Sequence, residues 1–398
     1  MGDRLGVVWD DRLAQYDFGP GHPFSPLRTQ LAMRLAGDFG LLAHPHVTTL
    51  GPVEPVDDDL LLRVHDADYV AAVRQGSDDP HFYDETFGLG TSDDPVFPGM
   101  HDAAARVAGA SLLGAQAVHE GTVDHAVSLA GGLHHAMRGS AAGFCVYNDI
   151  AVAVYWLLDQ GVERVAYVDV DVHHGDGVQS IFWDDPRVMT ISIHEDPRSL
   201  FPGTGFPAET GGPRAPGTAV NIAVPAGTGD QGWLRALHGV VPDILEAFAP
   251  QVLVSQHGVD THFEDPLAHL LVSMDGQRMA FEAVHRWAHR YAGGRWLALG
   301  GGGYEWVDVV PRAWTHLIAI AAGRPIEPEA LLPDGFHEFV LESLGRQAPG
   351  RMTDGRQPWP KPFDHGFDAD DALDAAVLAT RLAVFPRWGL TAEPGLWF

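Results

Sequence analysis

The amino-acid sequence predicts an α/β fold in which helices cover both faces of a parallel β-sheet. Short runs of β-branched and other apolar residues alternate with longer segments of helical periodicity along most of the 398 residues. Several of the short runs are apolar without interruption, which is typical of strands buried on both faces. With 45% hydrophobic and 20% charged residues, the chain can build the core of one large domain or two smaller ones.

Seven short apolar segments are predicted to be strands: residues 6–9, 125–130, 165–172, 188–194, 219–224, 252–255 and 296–299. Helices are predicted between them over residues 102–120, 149–160, 232–248 and 276–291, where apolar side chains recur every three or four positions. Such alternation favours parallel strands joined by helical crossovers.

The composition changes near Pro325. The stretch through Pro362 is rich in Pro, Gly and Arg, and a helical pattern then resumes over residues 370–385. Too few residues remain there for a separate core. We therefore interpret residues 1–324 as the main domain and residues 325–398 as a C-terminal extension packed on it.

The charge balance argues against nucleic acid as a partner. The chain carries 25 basic and 53 acidic residues, a net charge of −28, whereas binding to a phosphate backbone usually requires a basic stripe. Such a surface would instead attract cationic ligands, such as lysine-rich segments or polyamines. Cys145 is the only cysteine, so no intramolecular disulfide can form. Because we also find no signal-peptide or membrane-span pattern, we expect a cytoplasmic protein without membrane contact.

The most informative segment is Arg164 to Gly177, which reads RVAYVDVDVHHGDG. On a β-strand, Asp169, Asp171 and His173 would share one face. Burying them among valines would cost several kcal/mol for each unpaired charge, unless a cation lies between them. Carboxylates and an imidazole suit zinc. The alternative, a polar edge strand with solvated acids, is disfavoured by the apolar residues at the intervening positions.

Three other segments place polar residues just after a β-type run. They are residues 126–135, followed closely by 143–149, residues 252–260 and residues 296–304. In a parallel sheet the carboxyl ends of the strands share one edge, where ligands bind. The four segments are therefore predicted to converge on one cleft.

Each of these signals also has a structural explanation. The His134-His135 pair fits an ordinary polar pair. The glycines at 300–303 fit a tight turn, and without a following Lys-Ser/Thr they disfavour a nucleotide loop. Asp260 could cap a helix, and Cys145 is better explained as a small buried residue than as a nucleophile. The combination of the four segments favours a catalytic site.

With these residues in view, the chain resembles the zinc-dependent histone deacetylase family, and within it the bacterial acetoin-utilisation (AcuC-type) branch. The matching motifs, in the family's order, are GPGHP at 19–23, GLG at 88–90, GGLHHA at 131–136, GFC at 143–145, DVDVHHGDG at 169–177, FPGTG at 201–205 and LGGGGY at 299–304. The resemblance covers about residues 6–324. It implies a single arginase-like or deacetylase-like α/β domain around an eight-stranded parallel sheet.

The resemblance implies a zinc site and two acid-histidine pairs. Its metal ligands would be Asp171, His173 and Asp260. Asp169 and Asp176 would hydrogen-bond His134 and His135 respectively and fix their tautomers. We expect His135 to be the main base and acid, with His134 as electrostatic support.

Other matched positions would contact the substrate. Tyr304 would donate to the oxyanion formed during amide hydrolysis. Phe144 and Phe201 would form the aromatic walls of an acyl-lysine tunnel, with Gly143 lining it and Leu267 near its rim. Their alternative interpretation is ordinary core packing.

Further family features map less directly. Asp93 or Asp94 lies near the family's rim aspartate, but one extra residue after Gly90 leaves the register open, and we favour Asp93. Arg28 matches the inner-channel arginine that aids acetate release. An inner potassium site would take backbone carbonyls of Asp169, Asp171, His173, Ser192 and Ile193.

The predicted activity is removal of acetyl groups from protein lysines, with acetyl-CoA synthetase suggested as target by the acetoin-utilisation branch. A small-molecule deacetylase acting on acetylpolyamines would share the catalytic residues. A two-manganese ureohydrolase would need more metal-binding acids, and an inactive scaffold would not need an intact catalytic set. Ligand types leave iron(II) open beside zinc. The sequence leaves open which of these substrates is the physiological one, the acyl preference and the oligomeric state.

Overall fold

The computed structural model describes residues 3–394, in which eight strands form one parallel sheet. The strands are β1 (Leu5–Val8), β2 (Val47–Leu50), β3 (His125–Ser128), β4 (Val165–Asp169), β5 (Val188–Glu195), β6 (Ala219–Val224), β7 (Val252–Gln256) and β8 (Trp296–Leu299). Their order across the sheet is β2-β1-β3-β8-β7-β4-β5-β6, and each neighbouring pair is parallel. The predicted α/β class is confirmed.

Helices cover both faces of the sheet. Within residues 3–394 the α-helices are α1 (Leu27–Asp38), α2 (Asp58–Val64), α3 (Ala67–Asp78), α4 (Met100–His119), α5 (Asp149–Asp159), α6 (Asp176–Ile181), α7 (Asp230–Phe248), α8 (Met274–Ala292), α9 (Val310–Ala321), α10 (Asp334–Leu344) and α11 (Ala372–Val384). Alternate side chains of β4 enter opposite cores, since Ala166 and Val168 belong to one apolar cluster and Val165 and Tyr167 to the other. None of these helices combines the length and apolarity that a membrane crossing requires.

Strand β4 is shorter than predicted, because it ends at Asp169 and not at residue 172. The Asp169 Oδ1 accepts the backbone N–H of Asp171 at 3.1 Å, and Asp171 Oδ1 accepts that of His173 at 3.0 Å. These side chain to backbone bonds turn the chain out of the ladder. Asp171 and His173 therefore lie on a loop after the strand.

The sequence analysis also missed strand β2 at the sheet edge. Only Val47 is buried in this strand, whereas Thr48 and Thr49 are exposed. The strand therefore lacks the continuous apolar run by which the inner strands were predicted.

The C-terminal segment packs on the same core as the rest of the chain. Val377 and Val384 of α11 belong to the cluster on one sheet face, and the Thr380 hydroxyl donates to the Asn221 carbonyl of β6 at 2.6 Å. Arg235 of α7 holds the Asp374 carboxylate through Nε at 2.7 Å. The chain from residue 325 to 394 is thus joined to the sheet by apolar contacts and by a buried ion pair.

Candidate active site

The four polar segments converge because their strands are neighbours. Strands β3, β8, β7 and β4 lie side by side at the centre of the sheet, and all point the same way. Their carboxyl ends therefore open onto one cleft, as expected for a parallel sheet. The histidine pair follows β3, the glycine run follows β8, Asp260 lies beyond β7, and the acidic loop follows β4.

Asp171, His173 and Asp260 meet in this cleft. The Nδ1 of His173 lies 3.1 Å from Asp171 Oδ1 and 3.1 Å from Asp260 Oδ2, and all three side chains are buried. Ligand atoms of a tetrahedral zinc centre with bonds of about 2.0–2.1 Å lie about 3.3 Å apart. The donor set and its spacing fit a divalent metal, and ligation by these three residues stays a prediction.

The electrostatics of the three groups also fit a cation. Burial opposes ionisation of Asp171, but His134 and the hydrogen bond with His173 hold the pKa of Asp171 well below its usual range. Burial and the nearby Asp171 charge raise the pKa of Asp260 to about 6. A divalent cation between these carboxylates would relieve their repulsion.

Two glycines make room for the carboxylates. A Cβ on Gly258 would lie 1.9 Å from Asp171 Oδ2, and one on Gly302 would lie 2.0 Å from Asp260 Oδ2. The Gly302 N–H also donates to Asp171 Oδ2 at 2.8 Å. The glycine run after β8 is therefore part of the wall around the predicted metal ligands.

The His134-His135 pair is oriented by two carboxylates. His134 Nδ1 lies 2.8 Å from Asp169 Oδ2, and His135 Nδ1 lies 2.7 Å from Asp176 Oδ1. The two rings are 4.0 Å apart between centroids. These are the pairs that the family resemblance implied.

The two histidines differ in charge. Burial favours a neutral His134, but the carboxylates of Asp169 and Asp171 outweigh it and raise the pKa of His134 to about 9. Burial and the positive charge of His134 together lower the pKa of His135. A metal ion on Asp171 would lower the pKa of His134 from this raised value and would lower the pKa of His135 further. His135 is accordingly the neutral imidazole of the pair.

Aromatic side chains line the approach to the pair. The Phe201 ring is 5.0 Å from that of His135 and is 48% exposed, so it lies at the mouth. Phe144 is 5.7 Å from Tyr304 at 81°, an edge-to-face contact. A Cβ on Gly143 would lie 2.3 Å from His135 Cδ2, which leaves only a glycine here.

Tyr304 and Leu267 are held by one acid. The Asp265 Oδ2 accepts the Tyr304 N–H at 2.7 Å, and its Oδ1 accepts the Leu267 N–H at 3.0 Å. Leu267 is 37% exposed, in keeping with a position at the rim. Burial, together with the Asp260 and Asp171 charges, raises the pKa of Tyr304 well above its ordinary value, so the phenol stays a neutral donor.

The structure distinguishes Asp93 from Asp94. Asp93 is half-buried, and its Oδ2 accepts the Gly143 N–H at 2.8 Å. Asp94 is 1% exposed, and burial raises its pKa. The carboxylate that binds the Gly143 backbone therefore belongs to Asp93, and its role at the substrate rim stays a prediction.

Arg28 lies beneath the glycine run. Its Nη1 donates to the carbonyls of Gly301 at 2.9 Å and Gly303 at 3.0 Å, and its guanidinium lies 4.0 Å from the Phe24 ring centroid. Its buried Nε has no hydrogen-bond partner among the described residues. A buried cation with a free donor below Tyr304 is suited to a small carboxylate.

The residues of the predicted potassium site lie around the end of β4. Ser192 pairs with Asp169 in the β4–β5 register, and Ile193 follows it. The Ser192 Oγ lies 2.8 Å from His194 Nδ1. Ligation by the carbonyls of Asp169, Asp171, His173, Ser192 and Ile193 stays a prediction.

Sequence reasoning missed three functional neighbours. Gln256 Nε2 donates to Asp171 Oδ2 at 2.8 Å, and the Tyr167 hydroxyl donates to Asp169 Oδ2 at 2.6 Å. Asp265 anchors the backbone of Tyr304. Gln256 had a usable signal, since a polar residue ending a buried strand requires a partner. Asp265 lies on an irregular loop and had none.

Comparisons with known proteins agree with this geometry. Residues 22–321 match the model of the histone deacetylase domain. The chain is 42% identical over 328 residues to the acetoin utilization protein AcuC of Bacillus subtilis, covering 81% of this chain and 84% of that protein. It is 36% identical over 337 residues to the AcuC protein of Staphylococcus xylosus, covering 84% and 86%.

Solved structures of the same kind also superpose on the chain. The crystal structure of an HDAC homolog from Aquifex aeolicus has a TM-score of 0.80 at 26% identity, covering 94% of this chain and all (100%) of that one. An HDAC homolog described as complexed with SAHA has a TM-score of 0.81 at 26% identity, with coverage of 95% and 100%.

Proposed function

The chain belongs to the histone deacetylase family, and from that premise we propose that it is a zinc-dependent hydrolase that removes acetyl groups from N-ε-acetyl-lysine side chains of proteins. The observation that carries the proposal is the meeting of Asp171, His173 and Asp260 within reach of one ion. A neutral histidine and a neutral tyrosine lie beside them, as general acid-base chemistry and oxyanion stabilisation require.

A divalent ion bound by these three residues supplies Lewis-acid polarisation of an amide carbonyl and lowers the pKa of a water. His135 accepts the proton of the attacking water, because its lowered pKa keeps it neutral. Asp176 holds the His135 Nδ1–H, so that Nε2 carries the lone pair. The same imidazole then returns a proton to the leaving lysine amine.

The negative charge that develops on the carbonyl oxygen has two partners in this chain. The Tyr304 phenol donates a hydrogen bond to it, and His134, with its raised pKa, adds positive potential nearby. After cleavage, the free donor of Arg28 beneath the glycine run would receive acetate.

The approach to the site suits a long, thin side chain. Phe144 and Phe201 flank a path past Gly143, and the Asp93 carboxylate lies at its edge. We assign lysine stems to this path and the rim acid to the substrate backbone. As protein substrate we propose acetyl-CoA synthetase, which the family resemblance suggested. The single cysteine favours a reducing compartment, and we therefore propose the cytoplasm. A potassium ion beside Asp169 would tune the basicity of His134, which is hydrogen-bonded to Asp169.

The test is turnover by metal-free protein that is reloaded with zinc, iron(II) or cobalt(II). Acetylated protein, an acetyl-lysine fluorogenic peptide and acetylputrescine are compared in one preparation. We expect reloading to restore deacetylation, with the peptide and protein preferred over acetylputrescine. Preference for acetylputrescine would reassign the substrate to small amides, and no turnover with any metal would leave only a scaffold.

A matched pair of variants distinguishes loss of a predicted metal ligand from the general effect of replacing an acid with an amide. Asp260→Asn removes one predicted ligand, and Asp59→Asn changes an exposed acid of α2. We expect D260N to lose both activity and catalytic metal, and D59N to behave as wild type. Equal activity in the two variants would rule out Asp260 as a ligand.

A further inference from the structure

A second cluster of side chains that could bind a metal lies at the end of the sheet opposite the catalytic cleft. Asp3, His125, His285 and His289 each offer a ligand atom, and these atoms all lie within 4.8 Å of one another. Asp3 precedes β1, and His125 opens β3 and pairs with Leu5. The cluster therefore lies at the amino ends of the strands, whereas the catalytic residues lie at the carboxyl ends.

The spacing in this cluster suits a tetrahedral ion. His285 and His289 are one turn apart on α8, with their Nε2 atoms 3.2 Å apart. Asp3 Oδ2 lies 3.6 Å from His285 Nε2 and 3.4 Å from His289 Nε2. A zinc ion with bonds of about 2.0–2.1 Å places its ligand atoms about 3.3 Å apart.

His125 supplies independent evidence that the cluster binds a ligand. Its side chain is fully buried (0% exposed), and Nδ1 lies 2.9 Å from the Ala321 carbonyl. A carbonyl can only accept, so Nδ1 carries the proton and Nε2 carries a lone pair. That Nε2 is buried without a hydrogen-bond partner among the described residues. Metal-binding histidines commonly donate their other N–H to a backbone carbonyl in this way.

We propose that Asp3, His125, His285 and His289 form a second metal site, which takes a divalent transition metal such as zinc. A hydrogen bond between the two α8 histidines is the alternative reading of the 3.2 Å distance. That bond leaves the buried lone pair of His125 unsatisfied, which costs free energy. An ion satisfies all four groups at once.

The site is structural in character. Four protein ligands leave no open position for a substrate, which distinguishes this site from the three-ligand catalytic centre. The ion would join the segment before β1 to the start of β3 and to the last turns of α8. The side chains of His289 and Asp3 are 42% and 26% exposed, so the ion can enter from solvent.

The experiment measures zinc content and thermal stability. Tag-free protein is stripped with chelator, reloaded with zinc, passed over a desalting column and analysed by mass spectrometry of the metal. His289→Gln is the main variant, because this exposed residue can change without disturbing the core. We expect H289Q to hold one zinc fewer per chain than wild type, and to gain a smaller rise in Tm on adding zinc.

Control variants make the comparison specific. H44Q/H46Q removes a surface histidine pair, whose rings are 5.5 Å apart, and is expected to keep the full zinc content. His285→Gln should repeat the H289Q result, and both should keep deacetylase activity. Equal zinc content and equal Tm shifts in wild type and H289Q would overturn the proposal. Wild type and H289Q share the catalytic residues. The difference in zinc content between them therefore measures the second site, even if the catalytic centre holds no zinc.

Discussion

Substituting Gly302 by alanine tests whether the glycine run shapes the metal centre. The φ of Gly302 lies outside the left-handed region, so alanine brings a steric effect and no backbone strain. Its Cβ would lie 2.0 Å from Asp260 Oδ2 and 2.9 Å from Asp171 Oδ2. The added methyl group thus meets two of the three predicted ligands.

The expected effect is large. Ordinary contact begins at 3.4 Å, so the Asp260 oxygen would have to retreat by about 1.4 Å. Metal–ligand distances tolerate only about 0.2 Å, so one ligand is lost. Misplacing a catalytic group by about 1 Å costs about 10²-fold in rate. We therefore expect kcat/KM of G302A to fall at least ~10²-fold, together with a loss of catalytic metal.

The assay combines steady-state deacetylation of an acetyl-lysine peptide with metal analysis. Gly37→Ala in α1 is the control, because its nearest heavy atom to a new Cβ is Leu42 Cδ1 at 3.9 Å. We expect G37A to keep wild-type activity. If G302A is folded, holds its full metal content and stays within about tenfold of wild type, the steric reasoning is wrong.

Three further predictions follow from individual contacts. Tyr304→Phe should lower kcat by about 10²–10³-fold without changing KM or metal content, and an unchanged kcat would remove the phenol from the mechanism. Asp176→Asn removes the carboxylate that raises the pKa of His135, so the pKa of His135 should fall further. We expect kcat to drop about 10²-fold and the acid limb of the pH profile of kcat/KM to move to lower pH. A move of the acid limb to higher pH would contradict this assignment. Burial opposes ionisation of Asp354, but the bonds from His262 and Arg312 hold its pKa well below the usual range. Its stabilisation is present above the unfolded pKa near 3.9 and lost below it, so Asp354→Asn should cost about 3 kcal/mol in urea unfolding at pH 7. The difference from wild type should stay nearly constant from pH 7 down to about pH 4 and shrink as the pH falls further toward the lowered folded-state pKa, and a difference that stays constant below pH 4 would exclude this ionic origin.

Local patterns predicted most of the sheet. Strands such as Ala219–Val224 and Trp296–Leu299 have the predicted bounds, because buried parallel strands are unbroken apolar runs between turn residues. Edge strand Val47–Leu50 lacks such a run and was missed. The end of β4 was placed too late, because the Asp169 side chain bonds to the backbone and turns the chain.

The candidate site was predictable in its residue types and less so in its supporting contacts. Acids and imidazoles next to buried strands require a partner wherever they lie, so the metal ligands stood out. Gln256 and Asp265 act through contacts with Asp171 and Tyr304, residues far away in the sequence. The periodicity of residues within a strand or helix does not predict such long-range contacts.

The sequence by itself determined the parallel α/β class and which side chains could bind a metal, since both follow from burial and from the chemistry of neighbouring residues. Only the tertiary structure decided which of them meet. The order β3-β8-β7-β4 brings four loops to one cleft, and the pairing of β1 with β3 brings Asp3 beside His125. Strand order is set by how helices pack over the whole sheet, and no single segment carries that information.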